Sequence, residues 1–341
     1  MTGGAEPLSW LADGLAARPD AVAEVRVEEG DPRSGSGGRA YRVTMAGGVS
    51  VEVLPERGLD LGSLWWNNQP VAWRSALGPR GGALDPAGEG WIGRFGGGAL
   101  VTCGLDNIGP ARDGRGLHGS HHLTPAEDVA ITRTPEGDVE VSGVVDSSRV
   151  FGRRVTLRRR IRIALGRPEV VVEDVIVNEG PAPADVAVLY HVNFGVPVVV
   201  PGTTVSLAAL GRTPRDAAAE AMPWEVFPEP VDHTTESVWE HTGLAADGQG
   251  RARAVVRTPA APGGVSGTLS GDGPLEATVS WRAEDLPRCV QWIYPTRGGW
   301  ALGIEPTNAP LFGPDRSGPH AGAPVLEPGE TRTAGVTLTL G

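Results

Sequence analysis

Residues 139–178 read VEVSGVVDSSRVFGRRVTLRRRIRIALGRPEVVVEDVIVN, and this stretch establishes the fold class. Short runs rich in valine and isoleucine are separated by turn-forming segments such as LGRP at residues 165–168. No amphipathic helix lies between the runs, which disfavours a doubly wound nucleotide-binding fold and favours an antiparallel meander. We therefore predict an all-β chain built as one large antiparallel β-sandwich.

The arginines of this stretch indicate a half-exposed strand. In residues 153–162 they alternate with apolar residues, as on a sheet with one face in water. The chain carries a formal net charge of -11, which opposes a surface that follows nucleic acid phosphates. We expect no nucleic acid partner.

The same pattern of short strands and turns extends in both directions from this stretch. Residues 5–18 carry leucines and a tryptophan at helical spacing, which predicts a short helix in an N-terminal extension over residues 1–20. Residues 212–250 contain four prolines and are predicted to form a long loop or lid. The predicted strands are 21–27, 40–44, 49–54, 71–73, 129–133, 139–145, 151–164, 169–178, 184–194, 204–207, 252–256, 267–270, 277–283, 291–294, 300–305 and 331–340.

Length and composition restrict the class of protein further. A chain of 341 residues can form one large β domain, so we predict a single domain over residues 1–341. No apolar run reaches the roughly 18 residues that a membrane span needs, and the N-terminus lacks a secretory pattern. The expected location is the cytoplasm, without a membrane partner. Cys103 and Cys289 are too few for a disulfide framework; we expect buried thiols, although one bridge between them stays possible.

Side chains able to do chemistry concentrate in residues 91–125, WIGRFGGGALVTCGLDNIGPARDGRGLHGSHHLTP. Arg94 precedes three glycines, whose backbone permits close approach of another group. Asp106 follows, and then three of the seven histidines of the chain, at positions 118, 121 and 122. This density favours a functional loop. A glycine-rich turn with solvated histidines is the alternative interpretation.

Two later segments have the same character. In LYHVNFG, residues 189–195, His191 and Asn193 project to the same face of an apolar strand. His191 is either a hydrogen-bonded core histidine or a ligand-facing one. In WALGIEPTNAP, residues 300–310, Glu305 ends an apolar strand. A desolvated carboxylate has a raised pKa, which is a property of a general base.

These segments resemble the galactose mutarotase-like superfamily and, within it, a bacterial aldose 1-epimerase family of mostly uncharacterised members. In mutarotases an arginine precedes Leu-His-Gly-Gly, and here Arg94 precedes Gly116-Leu117-His118-Gly119. The catalytic histidine segment is similar to residues 191–195, and the catalytic glutamate segment is similar to residues 302–306. The resemblance spans roughly residues 49–340. Two departures are Ser120-His121-His122 in place of a second glycine, and Val192 in place of proline.

The resemblance implies a galactose mutarotase-like supersandwich and a cofactor-independent isomerase of carbohydrate metabolism that interconverts sugar anomers. Glu305 would be the base and His191 the acid, while Arg94 and His118 would orient a small-molecule sugar. The expected further contacts of that sugar are Asp60, Asp106, Asn193 and Gln291, with the faces of Trp91, Trp292 or Trp300 for stacking. We expect specificity to lie in residues 120–123 and 212–241. The protein is expected to act as a monomer or homodimer.

Two other functions stay open at this point. His118, His121 and His122, together with Glu305, could hold a divalent metal, giving a metal-dependent isomerase or lyase of a keto-sugar or modified sugar. The spacing of these histidines matches no standard ligand pattern. The third hypothesis is a non-catalytic sugar-binding protein that keeps the cleft without turnover.

Overall fold

The structure, a computed structural model, describes residues 7–29, 38–77, 88–259 and 274–341. These ranges contain the helices α1 (Pro7–Ala12) and α2 (Ala217–Glu220) and 21 strands. The first ten strands are β1 (Ala23–Glu28), β2 (Ala40–Met45), β3 (Ser50–Leu54), β4 (Asp60–Trp66), β5 (Gln69–Pro70), β6 (Leu100–Leu105), β7 (Ala126–Arg133), β8 (Val139–Asp146), β9 (Val155–Ile163) and β10 (Glu169–Asn178). The others are β11 (Ala184–Asp185), β12 (Ala187–Phe194), β13 (Thr204–Leu207), β14 (Ala209–Pro214), β15 (Ser237–Leu244), β16 (Arg251–Arg257), β17 (Glu276–Arg282), β18 (Arg288–Tyr294), β19 (Ala301–Thr307), β20 (Val325–Leu326) and β21 (Thr331–Leu340). Short 3-10 helices occupy Pro19–Ala21, Pro55–Arg57, Gly88–Arg94, His121–Leu123 and Pro314–Ser317.

Two large sheets form the body of the fold. The first sheet has the strand order β1-β2-β3-β4-β6-β12-β19-β18-β15-β14, with β5 paired to β4. The second has the order β13-β16-β17-β21-β10-β9-β8-β7, and β11 and β20 form a separate small pair. The strand pairs within both large sheets are antiparallel. The predicted antiparallel β-sandwich is therefore confirmed.

The main hydrophobic core lies between the two sheets. Side chains of the first sheet, such as Val188 and Tyr190, meet side chains of the second, such as Leu157 and Val172. Alternate residues of one strand point to opposite faces of its sheet. On β12, Ala187 and Leu189 therefore belong to a second apolar cluster on the outer face of the first sheet.

The central strands of the first sheet are thus buried on both faces. Every residue of β6, β12 and β19 is buried. The outer cluster includes Trp73, Trp91 and Trp292, which come from segments far apart in the chain. A polar side chain that points outward from β12 or β19 therefore lies among apolar groups instead of in water.

The prediction of one long loop or lid over residues 212–250 is wrong in part. The end of β14 and all of β15 lie in this range and form the edge of the first sheet, and α2 lies between them. The alternating pattern failed at β15 because Glu240 and His241, both polar, are buried in it. Their partners are Arg288 for Glu240 and Gln291 for His241, and paired polar groups can occupy buried positions.

Smaller differences concern strand and helix ends. The predicted N-terminal helix stops at Ala12, ahead of Gly14 in the left-handed conformation (φ +71°). β9 begins at Val155 and not at residue 151, because Phe151 is exposed in the preceding turn. The strand β6 was not predicted, and the predicted strand over residues 267–270 lies outside the described residues.

One arginine of β9 differs from the expected outward set. Arg158 and Arg160 point outward, whereas Arg159 is buried between the sheets. Its guanidinium donates to both carboxylate oxygens of Asp174, at 2.9 and 2.7 Å, and to Asp60 at 2.9 Å. The arginine therefore joins the two sheets through buried ion pairs.

The two cysteines are free and buried, as expected. Within the described ranges, no helix combines the length and the apolar character that crossing a membrane requires.

Candidate active site

His191 and Glu305 form the centre of the candidate site. The register that pairs Val192 of β12 with Ile304 of β19 places His191 opposite Glu305. Both residues point to the outer face of the first sheet, and Nε2 of the imidazole lies 3.1 Å from Oε1 of the carboxylate. Their side chains are only 6% and 3% exposed. The sequence predicted both residues, and the sheet brings them into contact.

A glycine on the same strand leaves the space that this pair occupies. A Cβ atom at Gly303 would lie 2.6 Å from Oε1 of Glu305 and 3.0 Å from Cε1 of His191. Real Cβ atoms do not approach a neighbour at the first of these distances. Gly303 therefore allows the carboxylate and the imidazole to meet over the sheet.

Burial shifts both members of the pair toward their neutral forms. It raises the pKa of the Glu305 carboxyl well above its usual range, and the carboxylate of Glu236 raises it further. Burial also lowers the pKa of the His191 imidazole to about 3, with His118 acting in the same direction. Both shifts favour the state in which the Glu305 carboxyl carries a proton and the His191 imidazole is neutral. This is a pair with one acid and one acceptor.

His118 is the third predicted site residue, and its ring lies beside that of His191. It has a left-handed backbone (φ +56°), and its Nδ1 accepts the backbone N–H of Gly109 at 3.3 Å. Burial lowers the pKa of His118 to about 4, and Arg316 adds to this effect. The neutral ring that accepts at Nδ1 carries its proton on Nε2. His118 can therefore donate one hydrogen bond to a ligand.

Aromatic rings surround the pair. The ring of Phe95 lies 5.1 Å from that of His191, and the ring of Trp292 lies 5.5 Å from it, centre to centre. Trp73 packs against both Phe95 and Trp292 at 5.4 Å. Trp91 stacks on Phe95 at 4.4 Å. These rings supply flat apolar surfaces of the kind on which a sugar can stack.

The pair and the rings line a cavity of about 880 Å³ on the outer face of the first sheet. This volume is within the usual range of small-molecule sites. The inner part of the cavity is buried. Its mouth carries Arg215, Glu236 and Arg297, whose side chains are 31%, 44% and 64% exposed. The site is therefore an apolar pocket with acid–base groups inside and charged groups at the entrance.

Two of the predicted sugar contacts lie outside this cavity. Arg94 and Asp60 line a separate small space of about 10 Å³, beneath the loop that carries Phe95. Asp60 accepts the backbone N–H of Thr102 and the guanidinium of Arg159, both at 2.9 Å. These protein groups occupy the carboxylate of Asp60, which therefore supports the contact between the two sheets.

Three other predicted contacts also bond within the protein and do not line the cavity. Asp106 accepts from the backbone and the hydroxyl of Ser120, and so holds the loop after His118. The amide of Asn193 donates to the carbonyls of Gly98 and His191. The amide of Gln291 donates to the carbonyl of Trp224. Their hydrogen bonds within the protein support the loops and strands around the site.

The histidines proposed as metal ligands do not gather with Glu305. His118 lines the cavity, whereas His121 is fully buried beside Gly58. His122 accepts the indole N–H of Trp91 at 3.1 Å. Across the described ranges, no group of three histidine, cysteine, aspartate or glutamate side chains is arranged to hold a metal ion.

Several residues that line the cavity were not predicted from the sequence as contacts of the sugar. Trp73 and Phe95 form the wall, and neither was predicted to contact the sugar, although Phe95 directly follows Arg94. Arg215 and Glu236 line the mouth and fall in the range expected to set specificity, whereas residues 120–123 do not line the cavity. Of the three tryptophans proposed for stacking, Trp91 and Trp292 line the cavity. The indole of Trp300 donates to Val199 and packs on Phe227, away from it.

Solved structures with the same architecture define the class of fold. A candidate aldose 1-epimerase from Klebsiella pneumoniae superposes with a TM-score of 0.78 at 21% identity, covering 93% of this chain and 83% of that chain. A galactose mutarotase-like protein from Clostridium acetobutylicum gives a TM-score of 0.60 at 15% identity, covering 93% and 98%. A second candidate aldose 1-epimerase, from Escherichia coli K12, gives 0.57 at 14%, covering 86% and 96%. The chain therefore has the galactose mutarotase-like fold.

Within that class, the chain belongs to the family described as "Domain of unknown function (DUF4432)", which it matches over residues 35–340. No curated protein matches the chain. The predicted resemblance to an uncharacterised epimerase-like family is confirmed at the level of fold and family.

Proposed function

We propose that this protein interconverts the anomers of an aldose by acid–base catalysis at His191 and Glu305. The observation that carries the proposal is the 3.1 Å approach of Nε2 and Oε1 inside a buried cavity of sugar-compatible size. The fold of the structural neighbours supports it.

The reaction needs one proton donor and one proton acceptor. The acceptor removes the proton of the anomeric hydroxyl while the donor protonates the ring oxygen. The bond between C1 and the ring oxygen then breaks, leaving a carbonyl at C1 and a hydroxyl in place of the ring oxygen. After rotation about the C1–C2 bond, the reverse proton transfers close the ring on the other face.

The pair is proposed to act as a unit with one proton. In the resting protein the carboxyl of Glu305 holds the proton, because burial raises its pKa, and the neutral His191 is the acceptor. These roles are the reverse of those the resemblance implied. Once a proton has passed through the sugar, His191 is the acid and Glu305 the base, so ring closure uses the implied assignment.

The imidazole of His118 is proposed to orient the sugar. The Nε2–H of His118 would donate to the ring oxygen or to a hydroxyl beside it. Trp91 and Trp292 would pack on the apolar face of the ring. No cofactor is required in this scheme, because the protein supplies both the acid and the base.

Saturation-transfer NMR tests the proposal, since it measures exchange between anomer signals at equilibrium. The pure protein should accelerate exchange for at least one sugar of a panel that includes aldopentoses, aldohexoses and their deoxy forms. The control is Glu229→Gln, a change to an exposed carboxylate that does not line the cavity, which should keep the full rate. Exchange equal to the spontaneous rate for every sugar would contradict the proposal.

A further inference from the structure

The interior of the cavity leaves few side-chain partners for sugar hydroxyls. All three tryptophans of the wall already donate their indole N–H groups within the protein. Trp73 donates to the carbonyl of Gly299, Trp91 to Nδ1 of His122, and Trp292 to the carboxylate of Glu236. None of these indoles can therefore donate to a ligand without losing a bond it has.

The remaining wall around the pair is hydrocarbon. Phe95 packs on His191, and Leu117, Val238 and Leu311 also belong to the lining. Within the described ranges, the polar side chains of the lining that lie at or beside the pair are those of His118, His191 and Glu305. The proposed reaction itself engages His191 and Glu305, at the anomeric hydroxyl and the ring oxygen.

Other polar side chains of the lining stand farther out. Five of them are partly or largely exposed to solvent, namely Ser75, Arg215, Glu236, Tyr294 and Arg297, whereas the hydroxyl of Thr296 is buried and without a hydrogen-bond partner among the described residues. The hydroxyls at the far end of a bound sugar can bond to them. A hydroxyl close to the anomeric carbon, or one turned to the aromatic wall, has no such partner.

A hydroxyl pressed against this wall would lose its hydrogen bonds to water and gain none. A sugar that carries hydrogen at that position would lose nothing and would gain apolar contact. From this we infer, on the basis of the proposed function, that the substrate is a deoxy aldose whose methylene or methyl group packs against Trp73, Phe95 and Trp292. The acid–base pair would act at its anomeric centre, and the charged mouth would bind its remaining hydroxyls.

The expected preference is moderate, because an apolar pocket rejects an added hydroxyl by about 100-fold at most. The test compares matched pairs of sugars that differ in one hydroxyl, using anomer exchange with the wild-type protein. Suitable pairs are 2-deoxy-D-glucose with D-glucose, 2-deoxy-D-ribose with D-ribose, D-fucose with D-galactose, and L-rhamnose with L-mannose. In at least one pair the deoxy sugar should have a kcat/KM about tenfold to 100-fold higher. Equal or higher values for the hydroxylated partner in every pair would overturn the inference.

Binding to the wild-type protein separates this inference from the proposed function. If no sugar shows catalysed exchange, the proposed function fails, and calorimetric Kd values for the same pairs then decide the ligand class. Tighter binding of a deoxy sugar than of its partner would support the inference without turnover. Equal binding within every pair, or no binding at all, would overturn it.

Discussion

His191 and Glu305 face each other across two antiparallel strands, β12 and β19, with Nε2 of the imidazole 3.1 Å from Oε1 of the carboxylate. Directly opposed side chains of such a pair have Cβ atoms only about 5 Å apart. Because rigid central strands hold both groups, the geometry does not depend on a loop. Burial on both faces of these strands also shifts the pKa of each group toward its neutral form.

Gly303 provides a direct test of this geometry. In Gly303→Ala the new Cβ would fall 2.6 Å from Oε1 of Glu305, so the carboxylate must move. We expect kcat to fall at least about tenfold, since displacements near 1 Å can cost up to about 100-fold in rate. The free energy of unfolding should fall by about 1–3 kcal/mol, as for an overpacked site. Anomer exchange and urea unfolding measure the two effects.

The matched control is Gly248→Ala. Gly248 has no heavy atom within 4 Å of an added Cβ. This variant should keep both activity and stability close to those of the wild type. If Gly303→Ala behaved like this control, the carboxylate of Glu305 would not occupy the position described.

Glu236 lies at the mouth of the cavity and influences the pKa of Glu305 in the interior. Its carboxylate accepts from Arg215 and from the indole of Trp292, and its charge raises the pKa of Glu305 beyond the effect of burial. In Glu236→Gln this negative charge is removed, so the pKa of Glu305 should fall. The pair then loses its proton at a lower pH, and the alkaline limb of the kcat/KM profile should move to lower pH. A limb that stays in place, or moves upward, would show that Glu236 does not act on the pair.

Replacing Arg159 tests how much the buried ion pairs between the two sheets contribute to the free energy of unfolding. Its side chain is fully buried, and Arg159→Ala would leave the carboxylates of Asp60 and Asp174 without their cation. Breaking a buried ion pair in this way costs about 3–5 kcal/mol in the free energy of unfolding. Arg160→Ala is the matched control, because Arg160 is the next residue and its side chain is 56% exposed. It should cost less than about 1 kcal/mol. Chemical denaturation of the two variants should separate them clearly, and equal losses would contradict the assigned role of Arg159.

Much of the fold could be predicted because its signal is local. Strands such as β10 and β21 show alternating apolar residues between clear turns, and their predicted bounds agree with the structure. The strand β15, which lies between β18 and β14, could not be predicted in this way, since Glu240 and His241 are buried by partners that lie on another strand. Long-range pairing of polar groups leaves no periodic pattern.

The acid–base residues of the candidate site could be predicted from the sequence, but several residues that line its cavity could not. A carboxylate at the end of an apolar strand identified Glu305, and a polar residue within another identified His191. Asp60 has a similar local context but pairs with Arg159, a contact that depends on the packing of two sheets. Phe95 and Trp73 were not predicted to line the cavity, because the sequence does not show whether an aromatic residue fills a core or lines a cavity.

The account depends most directly on His191 and Glu305 acting as one catalytic unit. The decisive measurement is anomer exchange for the best sugar in the wild type, in Glu305→Gln, in His191→Asn and in the double variant. We predict that each single change lowers kcat by about 100-fold to 10,000-fold, and that the double variant is within about tenfold of the slower single variant. Single variants that keep the wild-type rate, or losses that multiply in the double variant, would contradict the account.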